Sequence, residues 1–236
     1  DALYWIVPAV FIPTAVNVSL QGSGTSLTIP TATLIGSLTL NNSLNIIITN
    51  NFSVDFDGVL IMGPTNTIGG AGGFTLVNGG KIITPNVSGL NGSITTTSKS
   101  FSSDGIYEFN GTAGQVTGTL LPGLISGTLT ISNTNPAGVT LSNDLTLEGT
   151  SHSITSNSKL VIPLGKNLKN DGAIAIDASA SLSNLGTLSG TGTISGSFNN
   201  QAIISPGSSA GTVTITGNYT AQNTSTHIME LTSGGY

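Results

Sequence analysis

The sequence contains no cysteine, and its cations are five lysines with no arginine. Without cysteine the chain can form no disulfide, zinc–thiolate site or cysteine nucleophile. Charged residues make up 6% of the 236 residues, against about 25% in an average soluble domain. The formal net charge is −5, and no basic stripe is present that could neutralise a phosphate backbone, so nucleic acid is not expected as a partner.

Long hydrophobic runs and helical periodicity are missing as well. The longest apolar run occupies residues 1–13 and is shorter than the ~20 residues that cross a bilayer, so no membrane span is predicted. Apolar residues at the i, i+3, i+4, i+7 spacing of an amphipathic helix are not found in any segment. The sequence therefore predicts neither a transmembrane helix nor a helical bundle.

Short alternations of apolar and polar residues fill the chain instead. Hydrophobic residues make up 37% of the sequence, which is enough to build a core. The 32 glycines are typical of turns between short strands. One segment shows the pattern well, with inward residues before and after a turn predicted at Asn50-Asn51. These inward residues are Leu44, Ile46 and Ile48 on one side and Phe52, Val54 and Phe56 on the other.

The strands recur at roughly 10-residue spacing, which is typical of a β-sandwich, a β-barrel or a β-solenoid. Ladders of Thr, Ser and Asn and approximate GT[LIV][TS] units favour an all-β parallel β-solenoid, with β-sandwich domains as the alternative. At ~20 residues per coil we expect about 11 coils and a rod on the order of 50 Å. Residues 1–16 are predicted to form an apolar strand or cap and residues 17–236 the solenoid, with a subdivision possible near 95–105.

The C-terminal part carries a recognisable succession of motifs: residues 190–194 (GTGTI), Asn199-Asn200, residues 206–212 (PGSSAGT) and residues 217–219 (GNY). This succession resembles autotransporter-type and related β-helical surface proteins of Gram-negative bacteria. Residues 107–118 (YEFNGTAGQVTG) are similar to a repeat of large adhesins exported by type IX-like systems, which often open with a pair such as Tyr4-Trp5. The resemblance implies a right-handed β-helix, export and a role at the cell surface or in the matrix. It implies no catalytic residue.

Asp55 and Asp57 are the pair of acidic residues that best fits a candidate site. At positions i and i+2 of a strand, two carboxylates lie on one face ~7 Å apart, where they could flank a sugar or share Ca²⁺. The alternative is a solvated turn. Four other acids border predicted strands and are expected to cap turns through backbone N–H groups: Asp144, Glu148, Asp171 and Asp177.

No cofactor, metal or catalytic site is predicted. His152 and His227 are isolated, so we interpret both as surface residues. Ser209 stands at the centre of a formal Gly-x-Ser-x-Gly match, but a strand follows it where a nucleophile elbow needs a helix. Aromatic residues such as Tyr107, Phe109 and Trp5 could line a glycan groove or pack in the core. The Thr-x-Thr units are spaced irregularly, which argues against a regular ice-binding face; they occupy residues 31–33, 128–130, 191–193, 212–214 and 214–216.

These observations together predict a secreted structural or adhesive surface protein, either an adhesin stalk or a subunit of an extracellular fibre, that is not an enzyme. The alternative is a carbohydrate-binding or polysaccharide-degrading β-helix protein that uses Asp55 and Asp57. The expected partners are further copies of the chain, or host or matrix glycans. Apolar residues near both termini are the predicted assembly strands, because solenoid ends expose unpaired backbone. They are Leu3, Tyr4, Trp5, Ile6, Val7, Val10, Phe11, Ile12, Ile228, Met229 and Leu231.

Overall fold

A computed structural model of the protein describes residues 10–12, 17–20, 26–40, 45–207 and 210–229. The described residues form 28 short strands and a single helical turn, α1 (Leu90–Ser93). The strands of the first part of the chain are β1 (Val10–Ile12), β2 (Asn17–Leu20), β3 (Ser26–Leu34), β4 (Ser37–Leu40), β5 (Asn45–Val54), β6 (Val59–Ile61), β7 (Ile68–Gly69), β8 (Gly73–Leu76), β9 (Lys81–Thr84), β10 (Ser98–Phe101) and β11 (Ile106–Phe109).

The remaining strands are similar in length, with two to four residues each. They are β12 (Gln115–Val116), β13 (Leu124–Ile125), β14 (Thr128–Ile131), β15 (Val139–Thr140), β16 (Leu145–Leu147), β17 (His152–Ile154), β18 (Lys159–Ile162), β19 (Asn167–Asn170), β20 (Ala173–Ile176), β21 (Ser181–Asn184), β22 (Thr187–Gly190), β23 (Thr193–Ser195), β24 (Phe198–Asn200), β25 (Ile203–Pro206), β26 (Thr214–Ile215), β27 (Tyr219–Ala221) and β28 (Thr226–His227).

The chain winds as a parallel β-solenoid of about nine turns, which confirms the predicted fold class. Sheet B runs along one face of the rod over its whole described length. It contains ten strands in the order β2-β4-β6-β9-β11-β14-β17-β20-β23-β26, so nine turns of the chain separate its first strand from its last. Every strand pair among the described residues is parallel, whereas the alternative β-sandwich would need antiparallel hairpins.

Two further faces complete each coil. In the last part of the chain they are sheet C (β12-β15-β18-β21-β24-β27) and sheet D (β13-β16-β19-β22-β25-β28). In the first part a single sheet A (β1-β3-β5-β8-β10) serves both faces, because the long strand β5 pairs with β7 along its first half and with β8 along its second. The register between β3 and β5 shifts between Ile29 and Thr31, where the strands cross from one face to the next.

The prediction of about 11 coils was too high because coil length varies. The coil from Ile174 to Ile194 takes 20 residues, whereas the coil from Ile82 to Tyr107 takes 25 and contains α1. That longer coil lies near the subdivision predicted at 95–105. Sheet A ends there with β10, while sheet B continues through it from β9 to β11.

One continuous apolar core runs along the inside of the rod. Alternate residues of each strand point inward, and the stacked aromatic rings of Phe52 and Phe74 lie 6.1 Å apart. Two local predictions were wrong. Strand β5 continues through Asn50-Asn51, where it bends from one face to the next without ending in a turn, and Phe56 is 64% exposed because the strand ends at Val54 and the chain turns.

Polar side chains occupy the inward corner positions of several coils. The amide of Asn184 donates from Nδ2 to Asn200 Oδ1 at 2.8 Å and to the carbonyl of Ile203 at 2.8 Å. Gln115 and Asn133 form a second buried pair at 3.0 Å. These amides bind backbone carbonyls and N–H groups that the sharp corners would otherwise leave unpaired.

Candidate functional site

The last described coil presents an edge of three strands. Strands β26, β27 and β28 are the final members of sheets B, C and D, and each pairs on one side with the preceding coil. In β26 the N–H groups of Thr214 and Thr216 bind the carbonyls of Gly192 and Ile194. Since N–H directions alternate along a strand, the N–H of Ile215 points away from the preceding coil. The backbone edge is thus oriented to accept another parallel strand.

Side chains of this coil and of strand β25 in the preceding coil surround an open apolar depression of about 170 Å³, which we call the end face. Its lining contains no lysine, aspartate or glutamate, and Met229 is 83% exposed within it. The lining residues are Ile204, Pro206, Val213, Ile215, Tyr219, His227, Ile228 and Met229. In the interior coils the equivalent apolar side chains are covered by the next coil, so the end face displays the surface on which coils of this chain stack.

A chain of hydrogen bonds leads from the core to the end face. Asn184 donates to Asn200, and Asn200 Nδ2 donates to the hydroxyl oxygen of Tyr219 at 3.3 Å. The Tyr219 hydroxyl in turn contacts Nε2 of His227, and the two rings lie edge to face with centroids 5.6 Å apart. From the sequence, Asn200 and Tyr219 entered only as parts of the motifs that carry the resemblance, and Asn184 was not considered; no inward contact was predicted for any of the three. The signal was present, because each Asn stands two positions after an inward apolar residue.

The predicted assembly residues fall at opposite ends of the rod. Val10–Ile12 forms β1, which pairs in parallel with Ala32–Leu34 of the same chain as the first strand of sheet A. At the other end, Ile228 and Met229 lie on the end face. The remaining predicted assembly residues lie outside the described residues; they are Leu3, Tyr4, Trp5, Ile6, Val7 and Leu231.

The structure places Asp55 and Asp57 in a turn and not on a strand. Strand β5 ends at Val54, Asp55 accepts the backbone N–H of Phe56 at 2.8 Å, and Asp57 has a left-handed φ of 64°. The face-sharing geometry predicted for the two carboxylates is therefore wrong, because it required an extended strand. Within the described ranges, no three histidine or acidic side chains gather in a way that could hold a metal ion.

The prediction that the other acids cap turns is confirmed for three of them, but they reach across coils. Asp144 accepts the N–H of Asn167 at 2.9 Å, and Asp177 accepts that of Ser156 at 2.9 Å. Asp171 accepts the N–H of Thr191 at 3.1 Å. These carboxylates thus fix neighbouring coils to each other.

Asp171 also forms an ion pair with Lys169, with a distance of 2.5 Å between Lys169 Nζ and Asp171 Oδ2. The hydrogen bond from Lys169 is the largest cause that lowers the pKa of Asp171, and the same bond raises the pKa of Lys169. The fourth acid, Glu148, is exposed, and its backbone carbonyl binds His152.

The two histidines differ. His227 is exposed, as predicted, whereas the surface prediction for His152 is wrong, because its ring is 2% exposed on an inward position of β17. Tyr107 and Phe109 are fully buried, so they pack in the core and form no glycan groove. Burial raises the pKa of the Tyr107 phenol. Trp5, Ser208 and Ser209 lie outside the described residues.

The outer face of sheet B carries small uncharged residues over its last five strands. Pairing aligns Thr130, Ser153, Ala175 and Ser195 in one column, and Ala173, Thr193 and Thr214 in another. The Thr-x-Thr units are spaced irregularly in sequence because coil lengths differ, yet residues 128–130 and 214–216 share this face. Its hydroxyl and methyl groups give a flat surface without charge.

The geometry defines the class of the protein, which is an all-β parallel β-solenoid of about nine turns. In comparisons with protein-family models, curated proteins and solved structures, nothing matches the chain. A search of the described residues for a helix long and apolar enough to cross a membrane found none.

Proposed function

We propose that the chain is a structural module of an exported surface protein, either the stalk of an adhesin or a unit that stacks into an extracellular fibre. The observation that carries the proposal is the unbroken sheet B, in which ten strands stack in parallel. At ~4.8 Å per coil, nine turns give a rod about 40 Å long. A rod of this kind separates its two ends by a fixed distance, which is the mechanical task of a stalk or a fibre unit.

The surface chemistry also supports this function. A chain with so few charges has little electrostatic repulsion between copies, and its outer rows of Thr and Ser hydroxyls suit contact with other copies or with host or matrix glycans. The motifs that resemble autotransporter-type proteins point to the same location, outside the cell or on its surface. We therefore infer a structural and not a catalytic role.

Stacking would use the end face. Strands β26, β27 and β28 present parallel edges, and the apolar lining of the depression is what an incoming coil would cover. At the other end of sheet B, β2 pairs on one side with β4. A second copy placed head to tail would add its first coil to the last coil of its neighbour, and such a heterologous contact propagates as a filament.

Met229→Lys tests this contact, because it places a charge on the end face. The matched control is Leu164→Lys, which makes the same kind of change at a side chain that is 87% exposed in a lateral turn. Sedimentation velocity and negative-stain microscopy should show concentration-dependent rods for the wild type and the control, and shorter species for Met229→Lys. Monomers at all concentrations of the wild type would remove the fibre function and leave the stalk function, whereas equal association of both variants would show that copies do not stack through the end face.

A further inference from the structure

His152 occupies a position that apolar residues fill in the neighbouring coils. Along sheet B the inward column runs through Tyr107, Leu129, His152 and Ile174, with Tyr107 paired to Leu129 and His152 paired to Ile174. The register of β14 with β17 sets His152 beside Leu129. An imidazole at the centre of a core stack is costly unless its polar atoms are bonded.

Both ring nitrogens are bonded, and the bonds define a single protonation state. The backbone N–H of Leu129 donates to Nδ1 at 3.2 Å, so Nδ1 carries no proton. Nε2 lies 2.5 Å from the backbone carbonyl of Glu148, so Nε2 carries the proton and donates it. The ring thus joins the coil of Leu129 to its own coil in the neutral form only.

We propose that His152 is an acid-sensitive joint, at which protonation separates the coil of β14 from the coil of β17. A proton on Nδ1 would face the N–H of Leu129, so an attractive hydrogen bond would become a contact between two donors. The same proton would place a positive charge in an apolar core. The rod would therefore open first near its middle, while coils farther along retain their pairing.

The surroundings of the ring offer no charge to compensate this proton. Strands β14 and β20 contribute apolar Leu129 and Ile174 on either side. The nearest charged groups along the chain are Glu148 and Asp144, whose side chains are exposed, and Lys159, which is partly exposed. Of the described residues, only the backbone groups of Leu129 and Glu148 form hydrogen bonds with the ring.

The direction of the pH effect follows from the burial of the ring. Desolvation is the main cause that lowers the pKa of His152 below its ordinary value of 6.5, and the hydrogen bond to Glu148 opposes it. In an opened coil the ring regains that ordinary pKa and binds a proton more readily than in the closed coil. The joint is therefore stable above pH 6.5 and weakens as the pH falls below that value, by up to about tenfold in the opening equilibrium per pH unit.

Hydrogen–deuterium exchange of the intact chain between pH 7.5 and 5 tests the joint. After correction for intrinsic exchange rates, peptides that contain Thr128–Ile131 and His152–Ile154 should lose protection by up to about tenfold per pH unit below pH 6.5. Peptides that contain Thr187–Gly190 should not. The loss should vanish in His152→Gln, whose amide can accept from Leu129 and donate to Glu148 without titrating, and should persist in the control His227→Gln.

Two results would overturn the proposal. One is an equal loss of protection at acid pH in wild type and His152→Gln. The other comes from an NMR titration of the wild-type imidazole, which needs no variant to fold: a ring that titrates at or above 6.5 would show that the closed coil does not resist protonation.

Discussion

Replacement of Asn200 by alanine should destabilise the solenoid far more than the same replacement at its neighbour Asn199. The two residues are adjacent in β24 and chemically identical, but they point to opposite sides. Asn200 is fully buried, whereas Asn199 faces outward, where its Oδ1 accepts a 3.4 Å bond from the exposed Gln222. The difference in unfolding free energy between the two variants therefore measures what the buried amide of Asn200 contributes to stability.

The expected magnitude follows from the bonds that Asn200 makes. Its Oδ1 accepts from Asn184 Nδ2 at 2.8 Å and from the N–H of Ala202 at 3.3 Å. Its Nδ2 donates to the carbonyl of Ala202 at 3.2 Å and to Tyr219. Alanine leaves several of these groups without a partner in the core, at about 1 kcal/mol each, so Asn200→Ala should cost ~2–4 kcal/mol. Asn199→Ala should stay within ~0.5 kcal/mol.

Urea denaturation followed by circular dichroism measures the two free energies of unfolding, provided that the m-values of both variants match that of the wild type. Because each coil contacts only its neighbours, exchange protection of β21 and β24 should fall in Asn200→Ala while β14 keeps its protection. Free energies of unfolding that agree within ~0.5 kcal/mol for the two variants would refute the argument that the corner amides stabilise the coil stack.

Further predictions concern glycine and charge. Gly190 has a φ of 99°, and a Cβ there would lie 2.2 Å from the carbonyl oxygen of Asn170, whereas Gly165 has a φ of 76° with open space around it. Gly165→Ala should therefore cost ~1–2 kcal/mol of conformational strain and Gly190→Ala at least twice as much in urea unfolding; equal costs would contradict the close approach of the coils. Lys81 pairs with Glu108 at 2.9 Å on the partly exposed outer face, so Lys81→Met should change the unfolding free energy by less than ~1 kcal/mol, and a loss above ~2 kcal/mol would contradict this.

Much of the fold was predictable because alternation determines which residues enter the core. Ile46, Ile48, Phe52 and Val54 are buried as predicted. The number of coils was not predictable from an average period, since the corners between strands hold different numbers of residues. Pairing of β9 with β11 across the helical turn α1 depends on contacts between coils, which a local pattern does not show.

Side-chain environments were harder to predict. The carboxylate pair at Asp55 and Asp57 was assigned to a strand because alternation continued past Val54, but a left-handed φ at Asp57 bends the chain there. His152 was interpreted as a surface residue because its neighbours in sequence are Ser. Its position two residues before the inward Ile154 was the better signal, since period-two alternation turns both side chains toward the core.

The parallel register between neighbouring coils determines which side chains stack in the core, and disulfide cross-linking can measure this register because the chain contains no cysteine. Thr130 and Ser153 are paired across β14 and β17, so their Cα atoms should lie about 5 Å apart, within the range of a disulfide. Thr130 and Ser151 stand diagonally at about 8 Å, beyond that range. We expect the double variant Thr130→Cys/Ser153→Cys to cross-link under mild oxidation and Thr130→Cys/Ser151→Cys not to cross-link. Cross-linking of the second variant in preference to the first would contradict the coil register.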